Sequence, residues 1–293
     1  MDAPCLAPVA DPKAPDVATP RQACDSHFHI FGPSSRFRYS PERAYTPPEA
    51  PLEALLAMHA RLGIERGVVI QGNAHGTDNS ALLDALAREP RRLRGVSIVG
   101  DATTKETIRR MADGGVRALR FHHLPHAGGQ RYSSLGLAAF EKLAPHMAEC
   151  GLHLQLFLDA AELPVVMPRL ERWKGPIVLD HFGAVKAEAG LRTPGFETMR
   201  QLLAGGRIWV KVSGAYRVSR RYPDYPDARP LHEALIAANP EHVIWGTDCP
   251  HPRLDQDMPD TGHLLDLFNA WTPDAALRKK ILVDNPARLY GFT

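Results

Sequence analysis

The sequence predicts a single (β/α)8 barrel of the TIM type, and three observations carry that prediction. Apolar runs of strand length alternate eight times with longer segments of helical period. Glycines stand where helices must stop and the chain must turn back toward a strand. The unusual polar residues gather just after the strand candidates, the end at which such barrels build their active sites. A length of 293 residues accommodates the roughly 250 that the architecture needs. Two doubly wound halves are the competing arrangement, which the unbroken β-then-α composition disfavours.

The first strand is expected at Ala23–His29 and ends in two histidines. A long loop, Phe31–Pro51, leads to a helix over Leu52–Leu62, stopped by Gly63. The second strand, Gly67–Gly72, is followed by Asn73 and His75 and by a helix over Asn79–Arg88. The third, Gly95–Val99, precedes a helix over Lys105–Ala112, stopped by Gly114-Gly115. The fourth, Val116–Phe121, carries Arg120 and runs into His122 and His123, with a helix over Leu135–Glu149 and Gly151 behind it. The fifth, Leu152–Leu158, leads to Leu163–Arg172 and Gly175. The sixth, Pro176–Asp180, ends in Asp180-His181 and leads to Phe196–Leu203 and Gly205-Gly206. The seventh, Ile208–Val212, contains Lys211 and is followed by Ser213 and a helix over Leu231–Ala238. The eighth, Val243–Gly246, leads to Asp248 and to two closing helices, His263–Trp271 and Asp274–Leu282. Most of these strands are near-continuous apolar runs, as parallel strands covered on both faces require.

Composition narrows the class of function. A 44% hydrophobic content suits a globular chain with a sizeable core, and 23% charged residues is ordinary for its surface. The formal charge of +2 and the lack of a long basic run disfavour a nucleic-acid partner. No segment approaches the ~18 apolar residues of a membrane span. Residues 1–22, rich in Pro and Ala, lack a signal-peptide core and read as a flexible N-terminal arm ahead of one catalytic domain at 23–293. Cys5, Cys24, Cys150 and Cys249 are scattered without CxxC spacing, which fits a reducing, cytoplasmic setting. A homo-oligomer is compatible with the sequence, which does not specify one.

The candidate chemistry starts at Asp25-Ser-His-Phe-His29. Residues two apart share one face of a strand, so His27 and His29 can aim at one point. His181 and Asp248, after the sixth and eighth strands, complete three imidazoles and a carboxylate. Such a set can hold one divalent metal ion. Without a metal it can polarise a carbonyl and activate water. The plainer alternatives are histidines that order the barrel mouth and an aspartate that caps the Thr247–Pro250 turn. Arg120, at a strand end, is a candidate anchor for a substrate carboxylate through two parallel hydrogen bonds. His122, His123 and His126 accompany it, and Arg217 is a second anchor of the same kind.

Longer motifs resemble a known family. Cys24-Asp-Ser-His-Phe-His-Ile-Phe-Gly-Pro33, Gln71 with His75-Gly-Thr-Asp-Asn79, Arg120-Phe121, Asp180-His-Phe-Gly183, Trp245-Gly-Thr-Asp-Cys-Pro-His-Pro252 and Asn285-Pro-Ala-Arg-Leu-Tyr290 occur in family order. Together they resemble the amidohydrolase superfamily, in particular its branch of 2-pyrone-4,6-dicarboxylate lactonases. The resemblance implies an amidohydrolase-type TIM barrel and a hydrolase opening a small carboxylated lactone, either 2-pyrone-4,6-dicarboxylate-like or muconolactone-like. It implies catalytic roles for His27, His29, His181 and Asp248, with Asp248 as general base. The same four residues are the implied ligands if a metal is bound. It also implies substrate contacts from Tyr45, His75 and Thr77, beside Arg120, Arg217 and His123; Thr77 is equally suited to cap the following helix.

The binuclear members use a lysine or glutamate on the fourth strand, where this chain has Val116-Arg-Ala-Leu-Arg-Phe121, so the implied cofactor is no metal or a single zinc ion. Three departures bear on substrate. Leu124-Pro-His126 replaces a second arginine, Phe157 replaces a tyrosine, and Lys211-Val-Ser-Gly-Ala-Tyr-Arg217 follows sugar- or muconolactone-directed relatives. Losing charge-assisted contacts costs on the order of 1.5–3 kcal/mol each, enough to change substrate preference. A metal-dependent decarboxylase and a ligand-binding barrel without chemistry are the alternative functions.

Overall fold

A computed structural model describes residues 3–100, 102–123 and 136–293. Eight parallel strands follow one another in sequence order: β1 (Cys24–Phe28), β2 (Arg66–Ile70), β3 (Leu93–Ser97), β4 (Val116–His123), β5 (His153–Leu158), β6 (Ile177–Leu179), β7 (Trp209–Lys211) and β8 (Val243–Ile244). Each pairs with its neighbour in parallel register. The (β/α)8 barrel expected from the sequence is therefore the architecture found. The fourth strand runs two residues beyond its expected end, because His122 and His123 continue the ladder opposite Phe157 and Leu158.

The seam between β8 and β1 closes without a regular ladder. Ser26 N donates to Trp245 O (2.9 Å), Asp248 N to His27 O (2.7 Å) and His29 N to Cys249 O (2.8 Å). Gly246 makes this approach possible, since a Cβ there would lie 2.5 Å from His27 N. Buried Asp25 clasps the same seam. Its carboxylate accepts from His27 N (3.0 Å), Thr247 N (2.9 Å), Thr247 Oγ1 (2.6 Å) and His59 Nε2 (3.1 Å).

The barrel interior is layered. Cys24, Val68, Ile70, Val96, Ala118, Val178, Trp209 and Ile244 form an apolar floor, which Tyr290 and Phe292 near the C-terminus plug from below. Outward-facing residues such as Leu119, Phe121, Leu154, Leu156, Leu179 and Val210 join the main core beneath the helices. This division places Arg120 and His122 on the inner face of β4, and Phe121 and His123 on the outer face.

A bulge in β1 decides where the paired histidines point. Asp25 faces Gly67 and Phe28 faces Val69, so three steps on β1 oppose two on β2. With Cys24 in the floor, strict alternation would turn His27 outward. The extra residue restores both His27 and His29 to the inside.

The helices lie close to their expected positions: α1 (Leu52–Leu62), α2 (Ser80–Arg88), α3 (Lys105–Asp113), α4 (Leu137–Glu149), α5 (Leu163–Arg169), α6 (Pro194–Ala204), a short α7 (Ala215–Val218), α8 (Arg229–Ala238), α9 (Thr261–Trp271), α10 (Ala275–Lys279) and α11 (Asn285–Tyr290). Residue 135, where the fourth helix was expected to begin, lies outside the described residues. Side-chain caps fix several starts: Thr104 accepts from Thr107 N, Thr193 from Phe196 N and Asp260 from Gly262 N and His263 N. The last expected helix, Asp274–Leu282, is corrected. α10 ends at Lys279, a π-turn covers Lys280–Asp284, and α11 follows.

The residues of the expected N-terminal arm make hydrogen bonds to the rest of the chain. Leu6 N donates to Leu254 O (2.8 Å), Lys13 N to Asp260 Oδ2 (3.0 Å) and Asp16 N to Asp266 Oδ1 (2.7 Å), while Thr19 Oγ1 donates to Leu62 O (2.5 Å). These bonds join partners distant in sequence, so no local periodicity announces them. Gly262 sits so close to the Lys13 carbonyl that a side chain would collide with it. Among the described residues, no helix is long and apolar enough to cross a membrane.

Candidate active site

Above the apolar floor lies a buried ionic layer. Asp180 Oδ2 accepts from Arg120 Nε (2.9 Å) and Gln155 Nε2 (3.2 Å). Lys211 Nζ donates to Gln155 Oε1 (2.9 Å) and lies 3.3 Å from Asp180 Oδ1. Burial alone would raise the Asp180 carboxyl, but Lys211, Arg120 and His27 hold it well below the usual carboxylate range. Burial pushes the Lys211 ammonium down to about 8 against the pull of Asp180. An apolar interior tolerates these charges because each has a close partner.

His27, His29, His181 and Asp248 sit at the next level, toward the C-terminal mouth. All four are at most 3% exposed. Asp248 Oδ1 is 3.2 Å from His29 Nε2, 3.5 Å from His27 Nε2 and 3.7 Å from His181 Nε2. Its other oxygen, Oδ2, accepts from Tyr216 OH (2.5 Å) and from Arg217 Nε. Burial acts to raise the Asp248 carboxyl, yet Arg217 and His181 keep it well below its ordinary value. It is ionised at neutral pH. Burial lowers His181 to about 4, and burial followed by Lys211 lowers His27 well below the usual histidine range.

The backbone is strained where these groups converge. Asp248 (φ 59°), His181 (φ 47°) and Phe182 (φ 55°) all occupy the left-handed region. For residues with a Cβ this costs on the order of 1–3 kcal/mol each, a cost typically found where geometry serves a site.

The donor set fits one zinc ion. His29 Nδ1 lies 2.8 Å from Ile70 O, so it carries a proton there and leaves the Nε2 lone pair facing Asp248. With Nδ1 donating, His29 Nε2 and Asp248 Oδ1 are both acceptors, and a proton or a cation has to lie between them. His181 Nδ1 is likewise engaged by Ser213 Oγ (3.0 Å). His27 Nε2 is buried without a hydrogen-bond partner. Asp248 Oδ1 lies 3.5 Å from His27 Nε2 and 3.7 Å from His181 Nε2, near the edge of about 3.4 Å for a tetrahedron with zinc bonds near 2.05 Å, and His29 stands outside this compact group. One ligand atom each from His27, His181 and Asp248 falls within 4.8 Å of the others.

The sequence-level substrate residues divide by position. Arg120 and Arg217 both reach the centre, each with its Nε on a carboxylate of the site. Tyr45 is buried beside Phe31 (ring centroids 6.3 Å apart) and feels the charges of Arg217 and Arg120, although burial pushes its hydroxyl pKa upward overall. His75 is buried, but both its nitrogens serve the loop over the mouth: Nδ1 donates to Arg38 O (3.0 Å) and Nε2 accepts from Gly32 N (3.4 Å). Thr77 is exposed, and it does not cap α2; Asp78 Oδ1 accepts from Ser80 N instead. His123 faces outward and pairs with Glu162 at 3.6 Å. The inward imidazole of that strand is His122, T-stacked on Phe157 at 5.5 Å. His126 lies outside the described residues.

The sequence reading gave no role to Asp25, Gln155, Tyr216 or His251, and none beyond position to Asp180 and Lys211. A lysine inside the apolar run Ile208-Trp-Val-Lys-Val212 was a usable signal, because a buried charge demands a partner. Nothing in the sequence signals the chain from Asp248 through Tyr216 to His251 Nδ1 (3.2 Å) and on from His251 Nε2 to Thr261 Oγ1 (2.9 Å).

The sequence pattern of the amidohydrolase family matches residues 24–292, from the first strand to the plug beneath the floor. The chain belongs to the amidohydrolase family. Among its relatives, this amidohydrolase is 39% identical over 290 residues to a 4-sulfomuconolactone hydrolase of Rhizobium radiobacter, covering 98% of this chain and 96% of the relative. It is 33% identical over 290 residues to a 2-pyrone-4,6-dicarboxylate hydrolase of Comamonas testosteroni, with 96% and 94% covered. A crystal structure from Agrobacterium tumefaciens superimposes on the amidohydrolase barrel with a TM-score of 0.82 at 26% identity, covering 96% of this chain and 99% of that one.

Proposed function

We propose that this amidohydrolase opens a small anionic lactone of the muconolactone type by attack of water on the ring carbonyl, with Asp248 as general base. The observation that carries the reading is the convergence of three imidazole Nε2 atoms on one oxygen of Asp248, while Arg217 and Tyr216 occupy the other. Relatives named for lactone hydrolysis support it over nearly the full chain.

The substrate carboxylate is held by Arg120 and Arg217 through N–H groups not committed to Asp180 and Asp248. Tyr45 and His122 line the same region. Water sits against Asp248 Oδ1, the oxygen without a guanidinium, and gives its proton to it as the carbonyl is attacked. As the substrate anion shares the Arg217 guanidinium, its hold on Oδ2 weakens and the proton affinity of Asp248 rises, which matches the base to the step. Of the imidazoles, His27 with its proton on Nε2 can donate to the charge that develops on the carbonyl oxygen. Asp248 then returns its proton to the ring oxygen as the C–O bond breaks, leaving a hydroxy acid. His27, His29, His181 and Asp248 would hold a zinc ion, which supplies Lewis-acid polarisation of the carbonyl and a more acidic water when bound.

The reading is tested by a hydrolysis assay of muconolactone-type and pyrone lactones by wild type and Asp248→Asn. Ring opening by wild type and its loss in the variant, with melting temperature retained, is the expected result. Undiminished hydrolysis by Asp248→Asn overturns the assignment. Carbon dioxide release from an aromatic acid would point to the decarboxylase instead.

A further inference from the structure

The three histidines at the barrel mouth are not alike. His29 and His181 each place Nδ1 against a carbonyl oxygen, Ile70 O at 2.8 Å and Ser213 O at 3.4 Å, so their Nε2 lone pairs turn inward. His27 meets a donor. Lys211 Nζ lies 3.3 Å from His27 Nδ1 in hydrogen-bond geometry, and Asp180 Oδ1 approaches the same nitrogen at 3.4 Å. An ammonium group has only donors, so the nitrogen facing it accepts. The proton of a neutral His27 then sits on Nε2, which lies 3.5 Å from Asp248 Oδ1 without a hydrogen bond to it.

We propose that Lys211 and Asp180 compete for His27 Nδ1 and thereby decide whether His27 is a hydrogen-bond donor or a metal ligand. Both are positioning residues, and the inference rests on the reading of the barrel mouth as a zinc-compatible hydrolytic site. With Lys211 donating, the Nε2–H of His27 polarises a carbonyl, and zinc binds weakly because the lone pair it needs is protonated. With Asp180 accepting, the ring carries its proton on Nδ1 and Nε2 is open to the metal. The exchange is proton-neutral for the ring: Nε2 gives up one proton and Nδ1 gains one, shared with Asp180 Oδ1. Gln155 completes the device, since its Oε1 accepts from Lys211 and its Nε2 donates to Asp180 Oδ2, fixing both competitors relative to each other.

The competition predicts opposite effects from two neighbouring variants, which a merely structural role for the layer does not. Lys211→Met leaves Asp180 as the partner of Nδ1, so the metal-free protein shifts to the Nδ1–H tautomer and zinc binds at least tenfold more tightly. Asp180→Asn removes the carboxylate and weakens zinc binding by at least tenfold. The tautomer of His27 is read by long-range proton–nitrogen NMR of metal-free, histidine-labelled protein, and zinc affinity by competition with a chromophoric chelator. If Asp180→Asn does not fold, Lys211→Gln joins Lys211→Met in the comparison. An Nδ1–H tautomer in wild type, or an unchanged tautomer in Lys211→Met, overturns the proposal. So does an equal shift of zinc affinity in Lys211→Met and Asp180→Asn. A wild type that holds no zinc, yet shows Nε2–H and flips in Lys211→Met, sustains the competition and removes only the zinc reading.

Discussion

Asp248 carries different partners on its two oxygens, and the consequences of substitution follow from that division. Replacing it with asparagine removes the proton acceptor and is expected to lower turnover by about 10²- to 10⁴-fold, measured as initial rates of lactone opening. Its neighbours separate binding from stability. Arg217 is 21% exposed in its side chain, so Arg217→Met is expected chiefly to raise KM for an anionic lactone by roughly ten- to a hundredfold. Arg120 is paired with fully buried Asp180, so Arg120→Met takes one of its two cations from that carboxylate, leaving Lys211, and is expected to cost about 1.5–3 kcal/mol of stability as well. Steady-state kinetics alongside urea titration distinguish the two arginines. Reversal of their roles, with Arg217→Met the less stable protein, would falsify the layered picture of the site.

At the scale of elements, the seam between β8 and β1 and the strap of residues 5–22 decide what the barrel ends can do. Gly246→Ala drives a methyl group into His27 N, so it is expected to loosen the seam, lower the melting temperature and impair the histidine pair together. Asp260 both caps α9 and receives Lys13 N from the strap. Asp260→Ala removes both bonds, and a loss of about 1–2 kcal/mol from the cap alone is expected by denaturant unfolding. The bulge in β1 belongs to this scale too. His-Phe-His spacing was legible as two side chains on one face, but their direction depended on an extra residue against β2, which only the register shows.

The whole molecule buries histidines far from the mouth, and this sets its acid sensitivity. Burial lowers His153, against the Tyr290 plug, to about 3; burial and Arg229 do the same to His232, which bonds Thr272 Oγ1 at 2.7 Å. Their folded-state values lie below the ordinary 6.5, so the unfolded chain binds more protons between pH 6.5 and 3. Stability is full above pH 6.5 and falls as the pH drops through that window, by about 1.4 kcal/mol per pH unit for each group. Urea midpoints at pH 7 and pH 5 check this, and His232→Gln is expected to flatten the slope by one group's share. A groove of about 780 Å³ between α4 and the start of β6 lies at the opposite end from the chemistry and takes no part in it.

Sequence by itself determined the barrel and the position of most of its chemistry. Both rest on local regularities: strand-length apolar runs, helical period, glycine stops, and polar residues placed just after strands, where this architecture puts them at one mouth. Tertiary structure alone decided which side of β4 faces inward, so that His122 and not His123 accompanies Arg120. It also turned His75 toward the loop and left Thr77 exposed, drew the N-terminal residues along the barrel, and joined Asp180, Gln155 and Lys211 under His27. These outcomes depend on register and on partners far apart in the chain, and the tautomer of a histidine follows from whichever atom stands opposite it in space.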